Sequence, residues 1–392
     1  MKTVALVLGG YINGLSVVRE LHERNVSNIW LFDTQRSLAT RSKKISGFSI
    51  IENTPESLLN EVLSLKKQFD HIVFFPTADN HLELLAKVYD EVKSFSFLPL
   101  NESKIHKQLD KYYQYEVCDK IGIPYPKTFQ ISSLSEIEIL SDFTLPILLK
   151  PSKRDDFNSD LFRSHYIDSA EKLKKLGFEI KPYLKQGVTF IASEFIPGPD
   201  NNIYAYTAYR NRKGVICGSW CGKKLSQYPD QFGVFSSAIN EYNDQVHKQG
   251  KKLLEELDVF GVAEPEFKYD TRDRKFKLME VNLRPMMWHR LGHLSEVSLI
   301  YSQWLDSINH EIPLSNQIKS EDISIHYVYF KHEIINLFFR KKYFPIFAKN
   351  LFNGKKTYFS VFMINDLTPF IFDSIATLKT LLSRCLNLLQ KR

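Results

Sequence analysis

Between Ala263 and Pro285 the chain sets acids, an amide and a guanidinium at alternate positions. The run Ala263-Glu264-Pro265-Glu266-Phe267-Lys268 leads to a polar turn, Asp270-Thr271-Arg272-Asp273-Arg274, and Lys277-Leu278-Met279-Glu280-Val281-Asn282-Leu283-Arg284-Pro285 follows it. Strand alternation predicts Glu264 and Glu266 on one face, Glu280, Asn282 and Arg284 on one face of the partner strand, and Met279, Val281 and Leu283 on the other. A turn centred on Asp273 sets Glu266 opposite Glu280. Two carboxylates facing each other across a strand pair repel unless a cation lies between them. Hard oxygen donors at that spot suit Mg²⁺, which takes one or two carboxylates plus substrate phosphates, and Arg284 is a natural phosphate clamp. The plain alternative is an exposed hairpin with a solvated charged face.

Two other stretches offer matching chemistry. The apolar strand Leu145-Pro146-Ile147-Leu148-Leu149-Lys150-Pro151 ends in a lysine that can pair with nucleotide phosphates as a point charge, or simply sit in solvent. Phe190-Ile191-Ala192-Ser193-Glu194-Phe195-Ile196-Pro197-Gly198-Pro199-Asp200 runs a strand into a Pro-Gly-Pro bend. Backbone groups freed where a strand breaks can hydrogen-bond an adenine edge, with Asp200 placed to reach ribose hydroxyls.

The elements that must carry these groups follow from periodicity. The first hundred residues alternate strand and helix (Thr3–Leu8, a helix from Gly14 to Arg24, Asn28–Asp33, a helix near 55–68, His71–Phe75, a helix from Asn80 to Val92), which predicts a parallel sheet with right-handed crossovers. Gly9-Gly10-Tyr11-Ile12-Asn13-Gly14, with Asp33 ending the second strand, lacks the strict G-x-G-x-x-G spacing of a dinucleotide site. A glycine turn that lets the helix pack closely is preferred. Thr77 and Asp79 close the third strand at the carboxyl edge of the sheet, where open α/β sheets bind ligands, and Asp79-Asn80 serves equally as a helix cap. A helix from Leu109 to Ile121 then ends at Gly122-Ile123-Pro124-Tyr125-Pro126, an extended linker.

Composition narrows the classes. At 392 residues the chain is too long for one core and should form two or three domains. Its four cysteines (Cys118, Cys217, Cys221, Cys385) follow no ligand or disulfide pattern; Cys217 and Cys221 are expected in a strand and the turn after it. The N-terminal apolar run is too short for a signal peptide, and no stretch of 18 uncharged apolar residues could span a bilayer. A cytoplasmic protein is expected. From Glu311 onward twelve basic residues stand against six acidic ones, so this tail holds +6 of the formal +7. Phenylalanines and tyrosines interleave those lysines, which fits a segment resting on anionic lipid at the inner membrane face or, equally, a helical subdomain packed on the body. Nucleic acid is a weaker reading and is set aside.

Taken in order, Lys111, Gly122-Ile-Pro-Tyr-Pro-Lys-Thr128, Ile147-Leu-Leu-Lys150-Pro, Ser193-Glu194-Phe-Ile-Pro-Gly-Pro-Asp200, Glu266-Phe-Lys and Glu280-Val-Asn282-Leu-Arg284-Pro resemble the ATP-grasp superfamily over about the first 310 residues, and within it the carboxylate–amine ligases. The resemblance implies a mixed α/β and α+β fold. A Rossmann-like pre-ATP-grasp domain (1–108) would precede an ATP-grasp domain (109–310) whose two α+β subdomains clasp ATP, the mobile one at about 127–195, and a basic, aromatic-rich C-terminal extension (311–392). It further implies that Lys111 and Lys150 contact nucleotide phosphates, that Glu194, Phe195 and Ile196 read adenine through the backbone, and that Asp200 holds ribose. Glu266, Glu280 and Asn282 would bind Mg²⁺, with Mn²⁺ as a substitute, and Arg284 would serve the phosphates and the tetrahedral step. Lys224 is a candidate for the γ-phosphate, and His289 or Arg290 for a substrate carboxylate, against a structural role for either. After Lys150 the family's glycine-rich loop is replaced by Ser152-Lys153-Arg154-Asp155-Asp156-Phe157, whose side chains Lys153 and Arg154 would stand in for backbone amides; the lid is expected within 152–187.

The implied reaction makes an acyl phosphate from a carboxylate and ATP, then passes the acyl group to an amine, on small-molecule substrates or a lipid-linked, cell-envelope acceptor. A phosphotransferase on the same fold and a membrane-associated nucleotide-binding adaptor without turnover are the alternatives. Homodimers are common among such ligases.

Overall fold

The computed structural model describes residues 1–152, 161–162, 164–231, 233–316 and 324–390; Lys153 and Arg154 lie outside them. The chain opens with β1 (Thr3–Leu8), α1 (Ile12–Glu23), β2 (Ile29–Asp33), β3 (Gly47–Ile50), α2 (Pro55–Lys66), β4 (His71–Pro76), α3 (Asp79–Lys87), α4 (Tyr89–Val92) and β5 (Ser96–Phe97). These strands form one parallel sheet in the order β3-β2-β1-β4-β5. The unbroken apolar run of β1 is buried on both faces, as a central parallel strand must be. The two edge strands, β3 and β5, carry too few residues to show a periodicity and are absent from the sequence reading. At Gly14 a Cβ would lie 2.0 Å from the carbonyl oxygen of Gly9, so glycine is required for α1 to approach the first loop. Asp33 accepts a hydrogen bond from the Gly10 amide at 2.8 Å, so it fastens this loop.

Helices α5 (Ile105–Gln108) and α6 (Lys111–Ile121) lead out of this unit. Asp110 caps α6 by accepting from the Tyr112 and Tyr113 amides, and Gly122 stops it in the left-handed region at φ 70°. There follow β6 (Thr128–Ile131), a 3₁₀ segment over Leu134–Asp142, β7 (Ile147–Pro151), β8 (His165–Ile167), α7 (Ala170–Lys185) and β9 (Phe190–Glu194). The four strands make a separate antiparallel sheet, β6-β9-β7-β8. A core of its own, around Ile147, Leu149, Leu176, Ile180 and Phe190, lies beneath it.

The third sheet is the largest. It uses β10 (Ile203–Arg210), β11 (Ile216–Tyr228), β12 (Val234–Ile239), β13 (Gly261–Asp270) and β14 (Lys275–Asn282), with α8 (Asp244–Glu256), α9 (Arg290–Leu294) and α10 (Leu299–Ser307) packed around it. Its order is β14-β13-β10-β11-β12, and a short β15 (Ser315–Asn316) pairs with β11. Cys217 and Cys221 both lie inside the long β11, not in a strand and its turn.

The C-terminal extension continues this sheet. Strand β16 (Ile325–Val328) pairs with β12, and after α11 (Phe330–Phe339) and α12 (Phe344–Asn350), β17 (Lys356–Phe359) pairs parallel with β16. The long α13 (Thr368–Gln390) closes the chain. A buried ion pair, Arg19 with Asp366 at 3.1 Å, ties this end back to α1, and Arg19 also donates to the carbonyls of Ser360 and Val361.

Candidate active site

The β13–β14 ladder sets Glu266 directly opposite Glu280 and Glu264 opposite Asn282. The register slips between Glu266 and Phe267, leaving Met279 as the extra residue on β14, and a bulge of this kind re-aims the side chains beyond it. The turn is held by buried Asp270. Burial alone would raise its carboxyl, but hydrogen bonds from Arg272 and Lys277 win and hold it well below the ordinary range. Helix α6 seals the outer edge of β14. Gln114 donates to the Val281 carbonyl and accepts from the Val281 amide, while the Tyr115 hydroxyl donates to the Met279 carbonyl at 2.7 Å. That docking fixes Lys111, at the start of α6, beside Glu280.

Three lysines from three elements converge on this carboxylate pair. Lys224 of β11 lies 2.7 Å from Glu266, both side chains about 6% exposed, and Lys111 lies 3.3 Å from Glu280. Lys111 pulls the Glu280 carboxyl far below its ordinary value, against the cost of burial, with Lys150 and Lys224 adding to the pull. Lys150 comes from the small antiparallel sheet. Sheets two and three therefore face each other across Glu280.

Asn282 completes the edge of the site. It is buried, its Oδ1 accepts from Arg284 at 3.4 Å, and its Nδ2 has no partner. Arg284 in turn donates from Nε to Asp79 Oδ1 at 2.8 Å and from Nη2 to Asp79 Oδ2 at 3.3 Å. Asp79 is the first residue of α3, so the carboxyl edge of the first sheet meets the hairpin at this contact. Oxygen donors from two carboxylates and an amide fit a hard divalent cation such as Mg²⁺. Among the described residues no group of three or more His, Cys, Asp or Glu side chains is placed to hold a metal ion, so any cation here would rest on the two carboxylates, the amide and the substrate's own oxygens.

On the far side, β9 ends at Glu194. The Glu194 carboxylate accepts from the Thr144 amide and its own amide donates to Lys127, while the Phe195 amide donates to Pro146. Ile196 is buried, and the Phe195 ring stands between Tyr166 and the Lys268 ammonium at 4.8 Å. Asp200 is buried and its carboxylate accepts from the backbone and side chain of Gln227 at 3.0 Å each and from Arg340 Nη1 at 3.2 Å.

The sequence reading misses Lys268 and Arg340. Lys268 is two residues beyond Glu266 on the same strand face, so alternation alone could have found it; burial lowers its ammonium pKa, partly offset by Asp200 and Asp270. Nothing in sequence links Arg340 to Asp200. Glu264, by contrast, belongs to the framework: it accepts from Thr207 at 2.6 Å and from the Trp288 indole at 2.7 Å, and burial pushes its carboxyl up to about 7. Of the two roles open to His289 and Arg290, their contacts fit the structural one. His289 is 1% exposed and sits 3.7 Å from buried Glu20, and Arg290 is spent on Glu23 at 2.7 Å.

No family model matches the chain. A D-aspartate ligase of Enterococcus faecium is 24% identical over 300 residues, spanning 72% of this chain and 71% of the relative. Among solved structures, the ADP complex of an N5-carboxyaminoimidazole ribonucleotide synthetase superposes with a TM-score of 0.64 at 14% identity, covering 86% of this chain and 84% of that one. An L-amino acid ligase of Bacillus licheniformis gives 0.59 at 13% identity, covering 79% and 74%. A biotin carboxylase of Campylobacter jejuni with a bound ATP analogue gives 0.61 at 13% identity, covering 79% and 72%. These likenesses show that the chain shares its fold, of the ATP-grasp type, with those structures.

Proposed function

We propose that the chain activates a small amino-acid carboxylate with ATP and joins it to an amine, the acceptor being carried on a lipid-linked cell-envelope precursor. The convergence of Lys111, Lys150 and Lys224 on the Glu266–Glu280 pair carries this reading. Three ammonium groups facing two opposed carboxylates are the complement of a polyphosphate with its divalent cation. The amino-acid class of the acid is supported by the D-aspartate ligase relative.

In this reading Lys111, Lys150 and Lys224 bind the phosphates, the Glu194–Ile196 backbone receives adenine, and Asp200, oriented by Gln227 and Arg340, receives the ribose. Glu266, Glu280 and Asn282 would hold Mg²⁺, which supplies charge neutralisation at the phosphates. A substrate carboxylate oxygen attacks the γ-phosphorus, the bond to the bridging oxygen breaks, and ADP leaves. The amine nitrogen then attacks the acyl carbon, phosphate departs, and one proton is released. Arg284, held by Asp79 at the meeting of the first sheet and the hairpin, would steady the oxyanion of that second step.

The test is ADP release by purified protein with Mg-ATP, D-aspartate among a panel of amino acids, and amine acceptors including envelope precursors. Release that needs both partners, with a product one water lighter than their sum, supports ligation. A phosphorylated product with no amine requirement would replace it by phosphoryl transfer. ATP binding without turnover on every acceptor would favour the adaptor.

A further inference from the structure

Helix α13 is built inside out. Its side toward the protein carries Asp373 and Thr377, both buried, with Asp373 accepting from the Tyr329 hydroxyl at 3.1 Å. Its outer side carries Ile371, Ile375, Leu378, Leu382 and Leu386, each between 50% and 64% exposed. At the helical repeat these five fall within an arc of about 80°. A surface helix ordinarily turns such a stripe inward, because leaving each side chain in water forfeits its burial.

The same C-terminal segment exposes further apolar side chains. Near the start of α13, Phe330, Phe359, Phe362 and Phe370 pack edge to face or tilted in a partly exposed cluster with ring centroids 5.2–6.4 Å apart. On α11 and α12, Phe338 and Phe344 are each 70% exposed, and Phe352 just beyond is 88% exposed. Monomeric proteins rarely leave contiguous apolar area on this scale uncovered. Exposed Lys341, Lys342, Lys349, Lys355, Lys356 and Lys379 are spread through the same segment.

We propose that this face of the C-terminal extension docks on an anionic lipid surface, with the α13 stripe and the phenylalanines entering the headgroup boundary and the lysines pairing with lipid phosphates. Charge decides between this occupant and a second copy of the chain. The extension carries +6, so two copies meeting face to face would oppose like charges, whereas an anionic bilayer neutralises them. The helix lies on the surface and does not cross it, since no helix among the described residues is long and apolar enough to span a membrane. The C-terminal segment also touches the first sheet's carboxyl edge. Tyr329, next to Phe330, has its hydroxyl 3.5 Å from that of Tyr11, which follows the Gly9-Gly10 loop at the carboxyl edge of the first sheet.

The inference stands apart from the ligase chemistry, and its test needs no substrate. Full-length protein is sedimented with vesicles of phosphatidylcholine alone and with vesicles containing about one third phosphatidylglycerol. The wild type should pellet with the anionic vesicles, lose them as salt is raised, and stay in solution with the neutral ones. The double variant Leu378→Glu/Leu382→Glu should bind at least about tenfold more weakly with an unchanged melting temperature, because both side chains are exposed. If that variant fails to fold, Lys341→Glu/Lys342→Glu should give the same loss through charge alone. Absence of wild-type pelleting, equal pelleting on neutral vesicles, or unchanged binding by folded variants of both kinds would overturn the proposal. A dimer in solution that the leucine variant splits, with no vesicle binding, would assign the face to a second copy instead.

Discussion

Replacing Glu280 by glutamine separates the chemistry of the site from its packing. The change keeps the shape and deletes one negative charge facing Lys111, Lys150 and Lys224. Lys111 and Glu280 are each about a third exposed, so their ion pair is worth only about 0.2–1 kcal/mol of stability after solvent screening. The loss at the transition state is larger. In the role proposed for Glu280 a neutral amide cannot replace the carboxylate beside developing phosphate charge, and removal of one preorganised electrostatic group costs about 10³-fold, or about 4 kcal/mol. Glu280→Gln should therefore melt within a few degrees of the wild type while ATP turnover falls by at least about 10³. Glu266→Gln gives the contrast. It strands Lys224 in a pair whose side chains are about 6% exposed, and breaking a buried pair from one side costs about 3–5 kcal/mol, toward the low end here because Glu280 remains near Lys224. Steady-state ADP release and thermal melts of both variants decide it. Turnover by Glu280→Gln within about tenfold of the wild type would remove the hairpin from the active site.

Other outcomes follow from the same contacts. Glu264, raised to about 7 by burial, favours folding fully below the ordinary carboxyl value and loses that contribution as pH climbs through about 7. Glu264→Gln should accordingly flatten the fall in stability between about pH 5 and pH 8, seen in denaturant melts at the two values. Arg284→Ala should cut kcat by about 10²-fold or more, and Asp79→Asn, which only loosens the guanidinium, by less, in single-turnover assays. Asp366→Asn should destabilise by about 3–5 kcal/mol, because Arg19 is left charged and buried, and limited proteolysis should then release the C-terminal extension. Asp200→Asn should weaken ATP and ADP equally, as a ribose contact would, when measured by calorimetry.

Much of the site was legible because strand alternation is a short-range signal. Glu266 does face Glu280 as the alternation suggests, but through a compensation the sequence does not show: the turn centres half a residue earlier than Asp273, and the bulge at Met279 restores the pairing. The first sheet was readable from apolar runs, except for β3 and β5, whose lengths are too small to show a pattern. What sequence could not carry was pairing across distance. Arg340 reaches Asp200 across 140 positions and Arg284 reaches Asp79 across 205, and neither contact leaves a local trace. The role of the C-terminal segment was split for the same reason. Periodicity shows that α13 has an apolar stripe, but not that the polar side would be the one to pack inward.

In the proposed reaction a carboxylate is activated by direct attack on the γ-phosphate. The most direct measurement uses the acid that supports turnover, labelled with heavy oxygen in its reacting carboxylate, and reads the released inorganic phosphate by mass spectrometry. An acyl phosphate route moves one labelled oxygen into each phosphate formed, in step with ligated product. Product formed with unlabelled phosphate would contradict it.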